Sequence, residues 1–107
     1  MKMILIYTTF SSEEKAKTVC KKLIEERLIA CANIYQNCLS QYIWNNKIVE
    51  EKEIPVIMKT NHKNLKNVKS RLLELHDYQI SAIVLINAES LNPAYSKWLR
   101  ICLTKKK

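Results

Sequence analysis

Glycine is absent from this 107-residue chain, and proline occurs only twice. With no residue that takes a positive φ freely, tight turns fall to Asn, Asp or longer loops, and Asn45-Asn46 is the clearest turn candidate. Several catalytic signatures are also missing: there is no G-x-S-x-G elbow, no P-loop and no H-E-x-x-H pair. Carboxylates with an obvious division of labour are lacking too, and Glu50, Glu51 and Glu53 read as a solvated or interface charge run. The expectation is a protein that is not an enzyme. No apolar stretch reaches the ~20 residues of a membrane span, and the N-terminus lacks the basic start, apolar run and small-residue site of a secretory signal. Cys20, Cys31, Cys38 and Cys102 show no C-x-x-C spacing, which argues against a dedicated zinc site and for reduced thiols. A cytoplasmic protein without membrane contact is expected.

What is present is an apolar fraction of 48%, enough for one compact domain in a chain too short for two. We take residues 1–104 as that domain and residues 105–107, Lys105, Lys106 and Lys107, as a basic tail. The formal charge of +8 permits attraction to anions without demanding it. RNA binding is the function class this charge raises. Ile4-Leu5-Ile6-Tyr7 loosely resembles the first-strand motif of an RNA-recognition motif, yet Val56-Ile57-Met58-Lys59 offers neither stacking aromatics nor glycine where the third-strand motif needs them. No specific nucleic-acid partner is expected.

Apolar patterning gives the element order. Met3 to Thr9 reads as a buried strand, and Ser11-Ser12-Glu13-Glu14 as a capping box opening a helix with Ala16, Val19, Cys20, Leu23 and Ile24 on its apolar face. From Ile29 a strand runs through Cys31, Asn33 and Tyr35 and, after an irregularity near Asn37, through Ser40, Tyr42 and Trp44. A second long strand follows from Lys47 to Thr60, with Pro55 marking a bulge or an edge. Asn61 or His62 starts a helix with Leu65, Val68, Leu72 and Leu75 inward, ending near His76. Ile80 to Ile86 gives the last strand, and Asn92-Pro93 opens a short helix bearing Tyr95, Trp98, Leu99 and Cys102 on one face. The order predicts an α+β fold of the ferredoxin-like split βαβ type (βαββαβ), with a long β-hairpin and a short C-terminal helix. Projecting strands leave unpaired edges, so an oligomer is expected.

Thr8-Thr9, then Glu26 to Ile34, then Ser40, Tyr42 and Trp44, then Glu53 ahead of Ile57 to Thr60 stand in this order. Leu73-Glu74-Leu75-His76-Asp77-Tyr78 follows, and Asn92-Pro93-Ala94-Tyr95 with Trp98 closes the series. Together they resemble the CutA family of divalent-cation tolerance proteins, from about Met3 to Leu99. The resemblance implies a homotrimer and divalent-cation binding, with copper as the ion and His76 as its imidazole ligand. No cofactor is required; Cu2+ or another divalent cation is the implied ligand. Relatives carry His-Pro-Tyr where this chain has His76-Asp77-Tyr78. They also place a carboxylate where Ala82 stands, and some have a thiol at the position of Thr8. Asp77 is then the substitute oxygen donor, and modest affinity is expected.

Lys59, Tyr42, Trp44, Tyr78, Tyr95 and Trp98 form a candidate ligand-pocket or interface set, one cation among amphipathic aromatics. The resemblance places such residues in inter-subunit clefts similar to those of PII signalling proteins. The leading expectation is a CutA-type homotrimer that binds copper or a related ion and senses or buffers an ion or small ligand at those clefts. The alternative is a PII-like oligomeric signalling or scaffold module that holds a small anionic ligand through Lys59.

Overall fold

The computed structural model describes residues 1–104, so the expected tail at Lys105 to Lys107 lies outside the described residues. The N-terminal apolar run forms β1 (Lys2–Phe10), followed by α1 (Glu13–Glu25), β2 (Cys31–Ile34), β3 (Cys38–Trp44) and β4 (Lys47–Thr60). A 3-10 turn at His62–Asn64 leads into α2 (Leu65–Leu75), and β5 (Ile83–Glu89) and α3 (Pro93–Leu103) complete the order. The strands lie antiparallel in the order β2-β4-β1-β5, with β3 continuing along β4. This is the ferredoxin-like split βαβ arrangement with an extended hairpin and an added C-terminal helix. No helix among the described residues is long and apolar enough to cross a membrane.

β1 is central: Leu5 stands opposite Lys59 of β4 on one side and Ile86 of β5 on the other. Directly paired residues share a face. Ile4, Ile6 and Phe10 therefore join Ile54, Val56 and Met58 on the side covered by α1 and α2, where Val19, Leu23, Val68 and Leu72 complete the main core. Met3, Ala30, Leu99 and Leu103 make a smaller core on the other side, under α3. The remainder of that side is open, with Val84 48% and Ile86 41% exposed.

Local chemistry sets the boundaries. Ser12 caps α1, its Oγ accepting from Lys15 N at 3.1 Å. The cap lies one residue later than a reciprocal box requires, so Glu14 sits at the second helical position and not the third. At the other end Arg27 N donates to Ile24 O and Leu28 N to Leu23 O, both at 3.0 Å, closing the helix with a left-handed residue. That residue is Arg27, at φ 61°. Its Nη1 donates to Cys102 O at 3.2 Å, tying the end of α1 to α3.

Asn45 and Asn46 both take positive φ, 51° and 63°, and join Trp44 to Lys47 in a two-residue turn of the type I′ kind. Ile34 faces Val56, whereas Cys38 faces Glu53, so Tyr35, Gln36 and Asn37 oppose only Ile54 and Pro55. The extra residue is a β-bulge. It lies opposite Pro55 and not in the proline's own strand; Pro55 is no edge residue either, since Thr9 pairs with it from β1. Tyr35 N donates to Pro55 O at 2.9 Å, so the missing proline N–H faces the interruption, where no ladder bond is lost. Beyond the bulge, β3 and β4 run out as a two-stranded ribbon, with Leu39, Ile43 and Ile48 strongly exposed.

Two further boundaries differ from the sequence reading. β5 begins at Ile83, opposite Thr8, and not at Ile80. Residues 76–82 carry no strand, and the last two residues of β1, Thr9 and Phe10, have no partner in β5. On α3 the buried positions are Ser96, Leu99 and Leu103, at helical spacing, while Trp98 lies off that stripe and is 44% exposed.

Candidate functional site

A cleft of about 810 Å³ lies on the open side of the sheet, between the hairpin and the 78–82 segment. One wall comes from Ser40 to Trp44 of β3, with Ser40, Tyr42 and Trp44 on the carboxylate side by register, and its floor from Glu51 and Glu53 of β4 with Thr9 of β1. Tyr78, Ile80 and Ala82 form the facing wall. Tyr42 Oη donates to Glu51 Oε2 at 2.7 Å, and Tyr78 Oη reaches Glu51 Oε1 at 3.4 Å.

The charges in the cleft are held by hydroxyls. Burial opposes ionisation of Glu53, but the Ser40, Tyr78 and Thr9 hydroxyls, with the nearby His76, outweigh it and keep the carboxyl below its usual range. Burial, then the hydrogen bond to Glu53 and the charges of Glu53, Glu51 and Asp77, push the Tyr78 phenol far above its ordinary value. Tyr42 is raised as well, chiefly by its hydrogen bond to Glu51. The cleft carboxylates are thus lined by phenols held in the protonated state.

His76 closes α2 and is buried, its side chain 1% exposed. The ring stacks on Phe10 with centroids 4.5 Å apart and planes 11° apart, and it contacts the Tyr78 ring at 5.1 Å. Nδ1 lies 3.2 Å from Tyr78 N, and Nε2 lies 3.2 Å from Thr8 Oγ1. Asp77 Oδ1 is 3.5 Å from Nδ1, and Oδ2 accepts from Ser11 Oγ. Burial, with Lys15 adding to it, depresses the imidazole pKa against the opposing pull of the Thr9 backbone, Asp77 and Glu53. Among the described residues, no three His, Cys, Asp or Glu side chains come together as a ready ion cage.

The six residues of the aromatic and cationic set fall into two groups on one face of the sheet. Tyr42, Trp44 and Tyr78 belong to the cleft. Lys59, Tyr95 and Trp98 lie under and on α3: Lys59 Nζ sits 5.7 Å from the Tyr95 ring centroid, and Tyr95 stacks on Trp98 at 5.5 Å. Lys59 stands six positions beyond Glu53 on β4, roughly 20 Å of strand. Tyr95 Oη is buried without a hydrogen-bond partner among the described residues. Glu51 and Glu53, which the sequence presents as a charge run, line the cleft. The available signal is their alternate spacing, matched by Ser40, Tyr42 and Trp44 across the hairpin.

The cysteines remain unpaired thiols. Cys20 lies in the main core, where burial and then the nearby Cys31 push its thiol up to about 11.

Residues 4–101 match the family model described as CutA1 divalent ion tolerance protein. The chain is 44% identical over 97 residues to the divalent-cation tolerance protein CutA of Pyrococcus horikoshii, covering 91% of this chain and 94% of that one. The crystal structure of the divalent ion tolerance protein CutA1 from Ehrlichia chaffeensis is similar with a TM-score of 0.92, at 31% identity and 96% coverage of both chains. The structure described as the periplasmic divalent cation tolerance protein CutA from Archaeoglobus fulgidus is similar at a TM-score of 0.91 and 28% identity, covering 95% of this chain and 99% of that one.

Proposed function

The chain belongs to the CutA1 divalent ion tolerance family, and from that premise we propose that it works as a homotrimer binding a divalent cation in the cleft floored by Glu51 and Glu53. The observation that carries this reading is the pair of carboxylates in one cleft, one of them held ionised against its own burial. Their donor chemistry fits a divalent cation in part: two anionic oxygen ligands come from this chain, and further donors come from water or a neighbouring subunit. Assembly is supported by the free outer edge of β3, the exposed Leu39, Ile43 and Ile48, and the open sheet face at Val84 and Ile86. Holding ions in this way sequesters them, a binding role and not a catalytic one. A cytoplasmic setting belongs to the same reading, with the relative described as periplasmic marking the other outcome of a fractionation experiment.

Copper bound through His76 and Asp77 is the more specific version. It requires the imidazole to give up Tyr78 N or Thr8 Oγ1, whereas a carboxylate that accepts from hydroxyls keeps a further oxygen lone pair for an ion. A PII-like anion site would sit instead at Lys59, where the ammonium already lies over the Tyr95 ring.

Light scattering and Mn(II) or Cu(II) titration of the wild type and of the Glu51→Gln, Glu53→Gln pair test the proposal. A trimer mass is expected, with affinity falling at least about tenfold in the double variant through lost charge attraction. A stable monomer at micromolar concentration refutes the assembly, and unchanged affinity refutes the site.

A further inference from the structure

We infer that His76 is a positioning residue and not an ion ligand: it latches the Tyr78 wall of the cleft, so that a cation there meets oxygen donors only. The consequence for ions rests on the cleft reading above. The latch itself stands on the geometry of residues 76–78.

A backbone N–H can only donate, so the 3.2 Å contact from Tyr78 N makes Nδ1 of His76 the acceptor. The ring proton then belongs on Nε2, which donates to Thr8 Oγ1. Both ring nitrogens are therefore in use, Nδ1 through its lone pair and Nε2 through its proton. The ring is also clamped against Phe10, so it cannot turn toward the cleft without breaking that stack.

Sheet parity adds a second, independent argument. Thr8 pairs with Val56, and Phe10 with Ile54, on the side of the main helices. Thr9, Glu51 and Glu53 line the cleft on the opposite side. His76 touches the first set and Tyr78 reaches the second, so the chain passes from one side of the sheet to the other within two residues. The imidazole holds the turn, and the Tyr78 phenol is delivered to Glu51. Carboxylate and hydroxyl oxygens suit Mg(II), Ca(II) and Mn(II) better than soft-ligand chemistry would.

The test uses the full-length, tag-free chain carrying His62→Ala, which leaves His76 as its one imidazole. Amide exchange at Tyr78, followed by NMR, reads the latch without any metal. Protection should fall about tenfold in His76→Ala and in His76→Gln, and return in His76→Asn, whose Oδ1 takes the place of Nδ1 in an Asx-type turn. Unchanged protection in His76→Ala, or rescue by Gln and not Asn, overturns the latch. With Cu(II) added, pulsed EPR should show no remote imidazole nitrogen; such a signal overturns the exclusion of His76 as a ligand. Mn(II) affinity should follow the same order as the exchange data. If the wild type binds no Mn(II) while Tyr78 exchange behaves as expected, the cleft reading fails and the latch stands.

Discussion

Replacing Arg27 separates two effects that the structure superimposes on one residue. At φ 61° its Cβ crowds the following carbonyl, a strain of about 1–2 kcal/mol for an L-residue. Its guanidinium donates to Cys102 O at 3.2 Å, a partly buried contact to α3 contributing ~1.5 kcal/mol by the usual worth of a charged donor. Arg27→Ala keeps the strain and loses the contact, so a destabilisation of ~1.5 kcal/mol is expected. Arg27→Gly loses the same contact but removes the strain, offset by roughly 0.5–1 kcal/mol of extra chain entropy. Glycine should therefore be the milder substitution, by ~0.5–1 kcal/mol. Urea unfolding at one fixed protomer concentration measures the gap, since dissociation makes stability concentration-dependent. A glycine variant as unstable as the alanine variant, or more so, refutes the reasoning: the left-handed residue would then carry no strain for glycine to relieve.

Thr60 is fully buried and donates to Leu28 O at 2.7 Å, so Thr60→Val should cost about 1–3 kcal/mol in urea unfolding despite equal bulk. A neutral result would show that Asn64, whose Nδ2 lies 3.5 Å from the same oxygen, suffices alone. Acid stability should show two steps in a pH series. The depressed imidazole of His76, which faces Asp77, Lys15 and Glu53, favours the neutral ring in the fold; stability is full above its unfolded value near 6.5 and falls as pH drops toward the lower folded value. Glu53, also depressed, adds stability that is present above the usual carboxylate pKa and lost as pH falls through the lower folded one. His76→Asn should flatten the first step and Glu53→Gln the second; unchanged profiles would contradict the shifts.

Strongly periodic segments are legible in the chain. The continuous apolar run at β1 and the apolar stripes of α1 and α2 leave few alternatives, and Asn45-Asn46 is the natural turn in a sequence without glycine. Less legible are features fixed by register. The irregularity expected near Asn37 is the bulge, but the one-residue shift in register that it carries is not written in Tyr35-Gln36-Asn37, and Pro55 draws attention to the opposite strand. Site residues share this limit. Composition groups Lys59, Tyr95 and Trp98 with Tyr42, Trp44 and Tyr78, and parity does put them on one face, but distance along β4 separates them. His76 stands out in the sequence, whereas the commitment of its Nε2 depends on Thr8, sixty-eight positions away.

The bulge opposite Pro55 behaves as a phase shifter for the whole ribbon. Had β3 kept the register of β2, Tyr42 would stand opposite Ile48 and Leu39 opposite Glu51, putting Leu39, Gln41 and Ile43 on the side where Ser40, Tyr42 and Trp44 now face the carboxylates. The Asn45-Asn46 turn fixes the pairing of β3 with β4, so losing one residue from the 35–37 stretch would remove the bulge and leave Ser40 opposite Glu51. Losing one residue from the turn itself would instead act like a reading-frame slip in three dimensions: sheet pairing would survive, yet a hydroxyl-rich, aromatic recess would be exchanged for a largely aliphatic one. A change of length at the hairpin tip therefore alters what the protein can bind more abruptly than a single substitution inside the recess.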